Sequence, residues 1–430
     1  MLEEKIINMR IESTFIHQKR GSSAVFLAVI LASLMTITLT LVFAGRNQAR
    51  ISIADGSLNL ATVSLLSEYD YYVQRDYGLF LLQGTDPQLS RSLRDYTGFN
   101  AKASAGRFST VSTEPVRKQI LDYMKSTGGA GLIRDAVSGD SAGSGDETTG
   151  GPGGSESSGG AGGSESSGGL ADRTLRHGPT ITSLPSRSWP DADIITEARG
   201  LGEKLTNPEA IFRTGTNKFL MDEYILQKFN RADHVNAADH FFSGEVEYII
   251  CGQLSDEKNK QRVDLALEAI RTGLNLSHIY SDPKKVEAIV AAAEVLTPGP
   301  IGVLTQAAIA ASWAAAEAIN DVKLLHKGRK VPIFKTDASW AIDLDSILEG
   351  YSGEDGCIHP SVNTGRTYGD YLRILLYVKE DNILTARILD LIQINMRKNY
   401  DEKFLVQECA TGVSVDADVY GRKLSYDRIY

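Results

Sequence analysis

Cysteine is nearly missing from this chain of 430 residues, which has 3 cysteines, 7 histidines and 3 tryptophans. Cys251, Cys357 and Cys409 form no C-x-x-C pair and no ligand spacing. That excludes a zinc ribbon or a thioredoxin-type redox motif. The few histidines include no H-E-x-x-H, and the glycines at 128–131 lack the lysine of a phosphate-binding loop. Positive charge is not in excess either. The net charge of −9 excludes a nucleic-acid surface as the expected partner. With no catalytic signature and no cofactor motif, the chain is read as a non-enzyme. Long apolar runs are lacking too, with one exception.

That exception is residues 24–44, AVFLAVILASLMTITLTLVFA, which carry no charge. About 21 residues at ~1.5 Å rise span roughly 30 Å, the thickness of a hydrocarbon core. The apolar stretches at 288–296 and 301–316 are broken by Glu294, Pro298 and Pro300 and read as buried helices. Lys5, Arg10, Lys19 and Arg20 precede the run, and only Arg46 and Arg50 closely follow it. The positive-inside rule therefore puts residues 1–23 in the cytoplasm and residues 45–430 outside the cell membrane, with the lipid bilayer as first partner. Three fates are open for the run: an uncleaved anchor, a cut between Gly21 and Ser22, or a cut after Ala44. The run exceeds the usual signal core of about 7–15 residues, which speaks against the last.

Ala24, Ala28, Ala32, Thr36 and Thr40 recur every fourth residue. Such a stripe lets helices approach closely in lipid; the alternative is hydroxyls bonding back to their own helix. Residues 45–82 read as an amphipathic stalk. Its heptad-like seam is Ile51, Ala54, Leu58, Ala61 and Leu65, and Gly78 is its stop. The seam serves a partner helix, including a second copy of the chain, or packs on the protein's own domain.

Residues 128–169 are Gly/Ser-rich, with GGSESSGG twice, and read as a disordered insertion. The flanking pieces, 83–127 and 170–430, read as one external domain, α+β and helix-rich. Helices are expected at 193–205, around 222–229, from the cap Ser255 to about 276, from Asp282-Pro283 to about 296, and at 302–325, 368–379 and 382–396. Strands are expected at 245–252, at 404–408 and through Val413, Val415, Ala417 and Val419. An exterior compartment permits one disulfide, Cys357 with Cys409; three free thiols are the alternative, and the odd count does not decide.

Candidate chemistry is thin. Asp233-His234 and Asp239-His240 are the one His/carboxylate cluster, with ligand types that suit zinc or manganese but without a defined spacing. It favours a polar loop over an external metallo-enzyme. Asp343-Leu344-Asp345-Ser346 lacks the Gly and Glu of a calcium loop and reads as a capped helix start.

Lys19-Arg20-Gly21-Ser22-Ser23-Ala24-Val25 before a long apolar helix resembles the start of TadE/TadG-type pseudopilins of the tight-adherence pilus system. The resemblance implies cleavage after Gly21. The fifth residue from Ser22 is Phe26, where that family carries a glutamate that assists assembly. The chain as a whole looks like a Gram-positive membrane-anchored family associated with such systems. This likeness rests on Gly21-Ser22 to Leu31, Glu68-Tyr69-Asp70, Tyr77-Gly78-Leu79-Phe80, Glu245-Val246-Glu247-Tyr248-Ile249, Lys330-Val331-Pro332 and Tyr368-Gly369-Asp370-Tyr371-Leu372-Arg373. It implies a pilin-like stalk and an accessory role beside other membrane components of a pilus or secretion apparatus. A membrane-tethered module that binds an extracellular ligand or partner is the alternative.

Overall fold

One helix opens the chain and runs Leu2–Leu66 without a break, Gly56 included. The computed structural model describes residues 2–129, 173–201, 216–352 and 356–430, with side chains from residue 23 onward. The expected insertion at 128–169 lies outside the described residues from 130 on. The helix does not extend through a stalk to residue 82. It stops at Leu66, and a separate short helix, Tyr71–Tyr77, ends at Gly78 in the left-handed conformation with φ 71°. A Cβ there would also lie 2.3 Å from the Tyr123 ring, so both space and backbone call for glycine.

The chain divides into two compact units. The first comprises Met1–Glu68, Thr85–Gly106 and Val413–Ile429. Its sheet pairs Ala101–Ser104 with Gly412–Val419 antiparallel, Ala101 opposite Ala417 and Ser104 opposite Ser414. Arg422–Ile429 adds the third strand. The hairpin turns at Tyr420 and Gly421, both with positive φ (52° and 78°), the primed geometry that matches strand twist. Val413, Val415, Ala417 and Val419 alternate into the core, as their period of two requires.

The second half of the long helix is seated on this unit. Ile51, Ala54, Leu58, Ala61 and Leu65 are all buried, and Leu58 and Leu65 completely so. They pack toward the Asp86–Thr97 helix, which buries Leu89 and Leu93, and toward the last strand. Polar pins flank the seam. Tyr426 hydrogen-bonds Asp55, Tyr96 bonds Glu68, and Arg428 Nη2 donates to Asn59 Oδ1 at 2.8 Å.

The second unit comprises Tyr69–Gly84, Arg107–Gly412 and Tyr430 and is mostly helical. Two long helices, Asp256–Ser281 and Gly302–His326, lie against each other. Ser255 caps the first through its side chain, and Asp282 caps the following helix, Pro283–Leu296. Each cap satisfies an otherwise orphaned N–H. Asp343 likewise caps Leu344–Leu348. Helices Ile194–Leu201, Asn217–Lys228 and Tyr368–Val378 also form. At the centre lies Asp381–Asn399, in which every residue from 383 to 396 is buried. A helix buried all round must satisfy each polar side chain internally.

Two expected strands are absent from their places. Residues 245–251 form a helix, Glu245–Cys251, all seven residues of which are buried. The run Val246, Tyr248, Ile249, Ile250 has β propensity, but burial on every side overrides it. Residues 404–408 contain a 3-10 turn, Val406–Glu408, and pairing begins only at Cys409–Ala410, which joins Leu82–Gln83. All three cysteines are free, so the Cys357–Cys409 disulfide does not form.

Candidate functional site

The central helix Asp381–Asn399 carries Arg387, Asp390, Gln393 and Asn395 inside the helical unit, and each finds partners. Arg387 Nη1 donates to the carbonyls of Ile249 (2.8 Å) and Ile250 (2.7 Å). These belong to the last turn of the Glu245–Cys251 helix, where carbonyls have no helical partner, so a guanidinium caps a buried helix end. Its Nη2 bonds Asp191. Gly252 makes room: a Cβ there would lie 2.5 Å from Arg387 Nη2, and its φ is 66°. Lys379 Nζ meets Asp191 at 2.8 Å and Glu197 at 2.9 Å.

Asp390 accepts from the Ser186 N–H at 3.0 Å and the Tyr248 hydroxyl at 2.9 Å. Burial pushes its carboxyl up to about 6, against the pull of those donors. Gln393 joins Ser183 Oγ at 2.9 Å to the Val406 N–H at 3.1 Å. Asn395 donates to Glu245 (2.6 Å) and to the Tyr77 hydroxyl (3.0 Å) and accepts from the Phe241 N–H. Glu245 also receives His240 Nδ1 at 2.7 Å. Burial opposes a charge on that imidazole, but the hydrogen bond and charge of Glu245 outweigh it and raise the His240 pKa.

Beside this ladder lies a cavity of about 260 Å³, bordered by Trp189, Tyr248, Cys251, Gln253, Ile383 and Arg387. A neighbouring space of about 190 Å³ shares Asp191, Cys251 and Gln253 and reaches Arg262. Burial raises the Cys251 thiol to about 12. A thiol so protonated is no nucleophile. The cavity has room for a small polar ligand or a few waters; of its charged groups, Asp191 and Arg387 are already committed to each other.

A second buried cluster is closed. Arg271 Nε meets Asp321 Oδ2 at 3.0 Å, and its other nitrogens reach Ile333 O (2.7 Å) and Asn275 Oδ1 (2.8 Å). Lys335 Nζ meets Glu317 at 2.5 Å and Asp321 at 2.7 Å. Two cations and two carboxylates neutralise one another there. No spacing in the sequence marks these four residues; only the tertiary fold brings them together.

The candidate His/carboxylate cluster at 233–240, read as a polar loop, is not assembled. Asp233 pairs with Arg231 at 3.2 Å, His234 and Asp239 are exposed, and His240 is buried on Glu245. The structure instead gathers His278, Asp282 and Asp337, with ligand atoms within 4.8 Å of one another. The short step from His278, in the last turn of one helix, to Asp282, the cap of the next, is the signal that sequence reading passed over. Lys285 Nζ already lies 3.1 Å from both carboxylates and supplies the positive charge a metal would bring.

The helix-packing candidates fall in two environments. Ala24, Ala28, Ala32, Thr36 and Thr40 are exposed, and Thr36 and Thr40 bond back to Ser33 O and Thr36 O at 2.8 and 2.7 Å. The seam from Ile51 to Leu65 is buried within its own unit. Gly21 and Ser22 lie within the helix; their side chains are outside the described set. The segment Ser23–Leu66 is long and apolar enough to cross a membrane; Gly302–His326 passes the same test but is partly buried within the helical unit.

Fold and site together define a helix-rich protein with some sheet, an apolar N-terminal helix and a helical unit threaded by buried polar side chains. Residues 180–421 match the model of a family of unknown function, DUF5702, and the chain belongs to that family. The match takes in the Arg387 ladder and the Arg271 cluster and leaves out the apolar helix. No curated protein and no solved structure matches the chain.

Proposed function

We propose that this protein is a membrane-anchored, pseudopilin-like or accessory component of a Tad-like surface appendage or secretion apparatus, with a structural role in assembly rather than a catalytic one. The observation that carries the reading is the division of labour along one unbroken helix. Residues 24–44 expose an uncharged apolar surface, whereas Ile51 to Leu65 bury a seam on the first unit. Val25, Phe26 and Leu27 are each about two-thirds exposed, a state that lipid or a neighbouring helix relieves. With the seam occupied inside the chain, the partner contacts of the reading fall to the 24–44 segment and its Ala/Thr stripe. The N-terminus is cytoplasmic and residues 45–430 are external in this reading.

The test is mass-spectrometric mapping of the mature N-terminus in membrane and medium fractions. A start at Ser22 in the membrane fraction is expected. A start at Gly45 in the medium would sink the anchor. The second reading, a membrane-tethered ligand-binding module, draws on the cavity beside Arg387. Replacing residues 24–44 by an unrelated apolar helix separates the two: assembly is lost if the helix carries the contacts and kept if it is only a tether.

A further inference from the structure

Three cations of the helical unit sit around one open cavity with no carboxylate against them. Arg173, Thr174, Arg176, Phe241 and Lys398 line a space of about 490 Å³. Among the described residues, none of the ion pairs involves Arg173, Arg176 or Lys398, in a chain whose net charge is −9. Arg173 and Lys398 are held by backbone carbonyls instead, and the Arg176 side chain is exposed.

The holding is specific. Arg173 Nη1 donates to His240 O at 3.1 Å and Phe241 O at 3.0 Å. Lys398 Nζ donates to Asp239 O at 2.7 Å and to the same His240 O at 2.9 Å. Two like charges therefore share one carbonyl, within about 6 Å of each other, where they repel. Burial and the charge of Arg173 hold the Lys398 ammonium below its usual pKa. The backbone around them is fixed. Leu175 N–H bonds Leu254 O at 2.8 Å, Asp256 N–H bonds Arg173 O at 3.2 Å, and Leu175 is buried. Phe241 is half-buried, with its N–H on Asn395 Oδ1 at 2.8 Å.

The acids near this rim point elsewhere. Asp239 Oδ2 takes Asn399 Nδ2, and Glu245 is engaged with His240 and Asn395. Asp256 receives the N–H groups of Ser243 and Gly244. Each cation keeps donors to spare. A guanidinium has five N–H donors and Arg173 uses one nitrogen; an ammonium has three and Lys398 directs two to carbonyls. Three cations exceed the need of a single carboxylate. They match an anion of charge about −2 with several terminal oxygens, the geometry in which arginine forks are favoured.

We infer that Arg173, Arg176 and Lys398 form a binding site for a phosphate group, with Phe241 as its apolar wall. The phosphate belongs either to a soluble ester or to an anionic lipid headgroup. The site is independent of the proposed role in assembly.

The test is titration calorimetry on the full chain in neutral detergent at low salt. One probe is inorganic pyrophosphate; the other is mixed micelles containing phosphatidylglycerol, against phosphatidylcholine. The R173Q/K398Q variant is compared with K258Q/K327Q, which removes the same charge from exposed positions elsewhere. Pyrophosphate binding that weakens about tenfold or more in the first variant only supports a soluble phosphate ligand. The same pattern with phosphatidylglycerol alone supports a headgroup. Absence of binding to both probes, or equal loss in the two variants, overturns the site. If R173Q/K398Q fails to fold, Arg176→Gln takes its place, because that exposed side chain makes no described hydrogen bond. Weakened binding in Arg176→Gln then supports the site, and unchanged binding overturns it.

Discussion

Around Arg271 each buried charge touches an opposite one, whereas Asp390 and Glu247, equally deep in the same unit, touch none. Arg271 and Lys335 are held against Asp321 and Glu317. Asp390 and Glu247 are held only by neutral donors: Tyr248 and Ser186 for the first, Tyr368 and the Ala232 N–H for the second. Burial raises even the Glu317 carboxyl, but Lys335 and the N–H groups of Ala341 and Ile342 oppose it. One cluster is locked by charge. The other keeps carboxyls whose protonation the surroundings can change.

The largest effect should come from unbalancing the locked cluster. Arg271→Met leaves Asp321 and Glu317 facing Lys335 alone, with one uncompensated negative charge in the core. Breaking a buried pair this way costs about 3–5 kcal/mol. Asp390→Asn keeps a hydrogen-bonding group of the same shape and should cost about 1 kcal/mol. Denaturant midpoints of the full chain in detergent measure both. Equal losses would erase the distinction between the clusters.

Protonation gives the next effect. Burial raises Glu247 and Asp222 to about 7 and Asp390 to about 6. Each is raised above its unfolded value, so the folded state holds an extra proton between roughly pH 4 and the folded pKa. That contribution is complete below the unfolded value and is lost as pH rises through 6 to 7. His240, raised by Glu245 despite its burial, acts in the same direction at the upper end. Glu114 and Asp343 are lowered, by Arg117 and by the Ser346 N–H, and work the opposite way only as pH falls through the acid range. Glu247, Asp222 and Asp390 should therefore each add on the order of 1–3 kcal/mol of stability from pH 8 to pH 5. A denaturation midpoint that is flat over that range, or falls on acidification, contradicts the assignment. In the double variant E247Q/D390N the rise should shrink.

The sequence made the local features legible. The 24–44 run, the Ile51–Leu65 seam, the caps Ser255, Asp282 and Asp343, and the stop at Gly78 are each decided within a few residues by spacing, side-chain acceptors or a missing Cβ. The Arg387 ladder was not legible for a physical reason. Polar residues at 387, 390, 393 and 395 have the spacing of a solvated helix face, and only burial on all sides turns them into a core. The Glu245–Cys251 helix was misread as a strand because β-branched and aromatic residues prefer strands wherever one face is wet, and here no face is. The phosphate candidate joins residues 173, 176, 241 and 398, a juxtaposition no spacing rule contains.

The smallest effect concerns two glycines, one beside each cluster. Gly252 adjoins Arg387, has φ 66°, and would place a Cβ 2.5 Å from the guanidinium. Gly273 lies two residues after Arg271, inside the Asp256–Ser281 helix, and its Cβ would meet nothing within 4 Å. Alanine at 252 must adopt a left-handed backbone and displace a group that caps a buried helix end, for a loss of about 2 kcal/mol. Alanine at 273 keeps an ordinary helical conformation, removes backbone freedom from the unfolded chain, and should add about 0.5–1 kcal/mol. Opposite shifts in the thermal midpoints of G252A and G273A are expected. A G252A protein as stable as the parent would mean that Arg387 can leave the Ile249 and Ile250 carbonyls without cost, and that the ladder beside the cavity is looser than the Arg271 cluster.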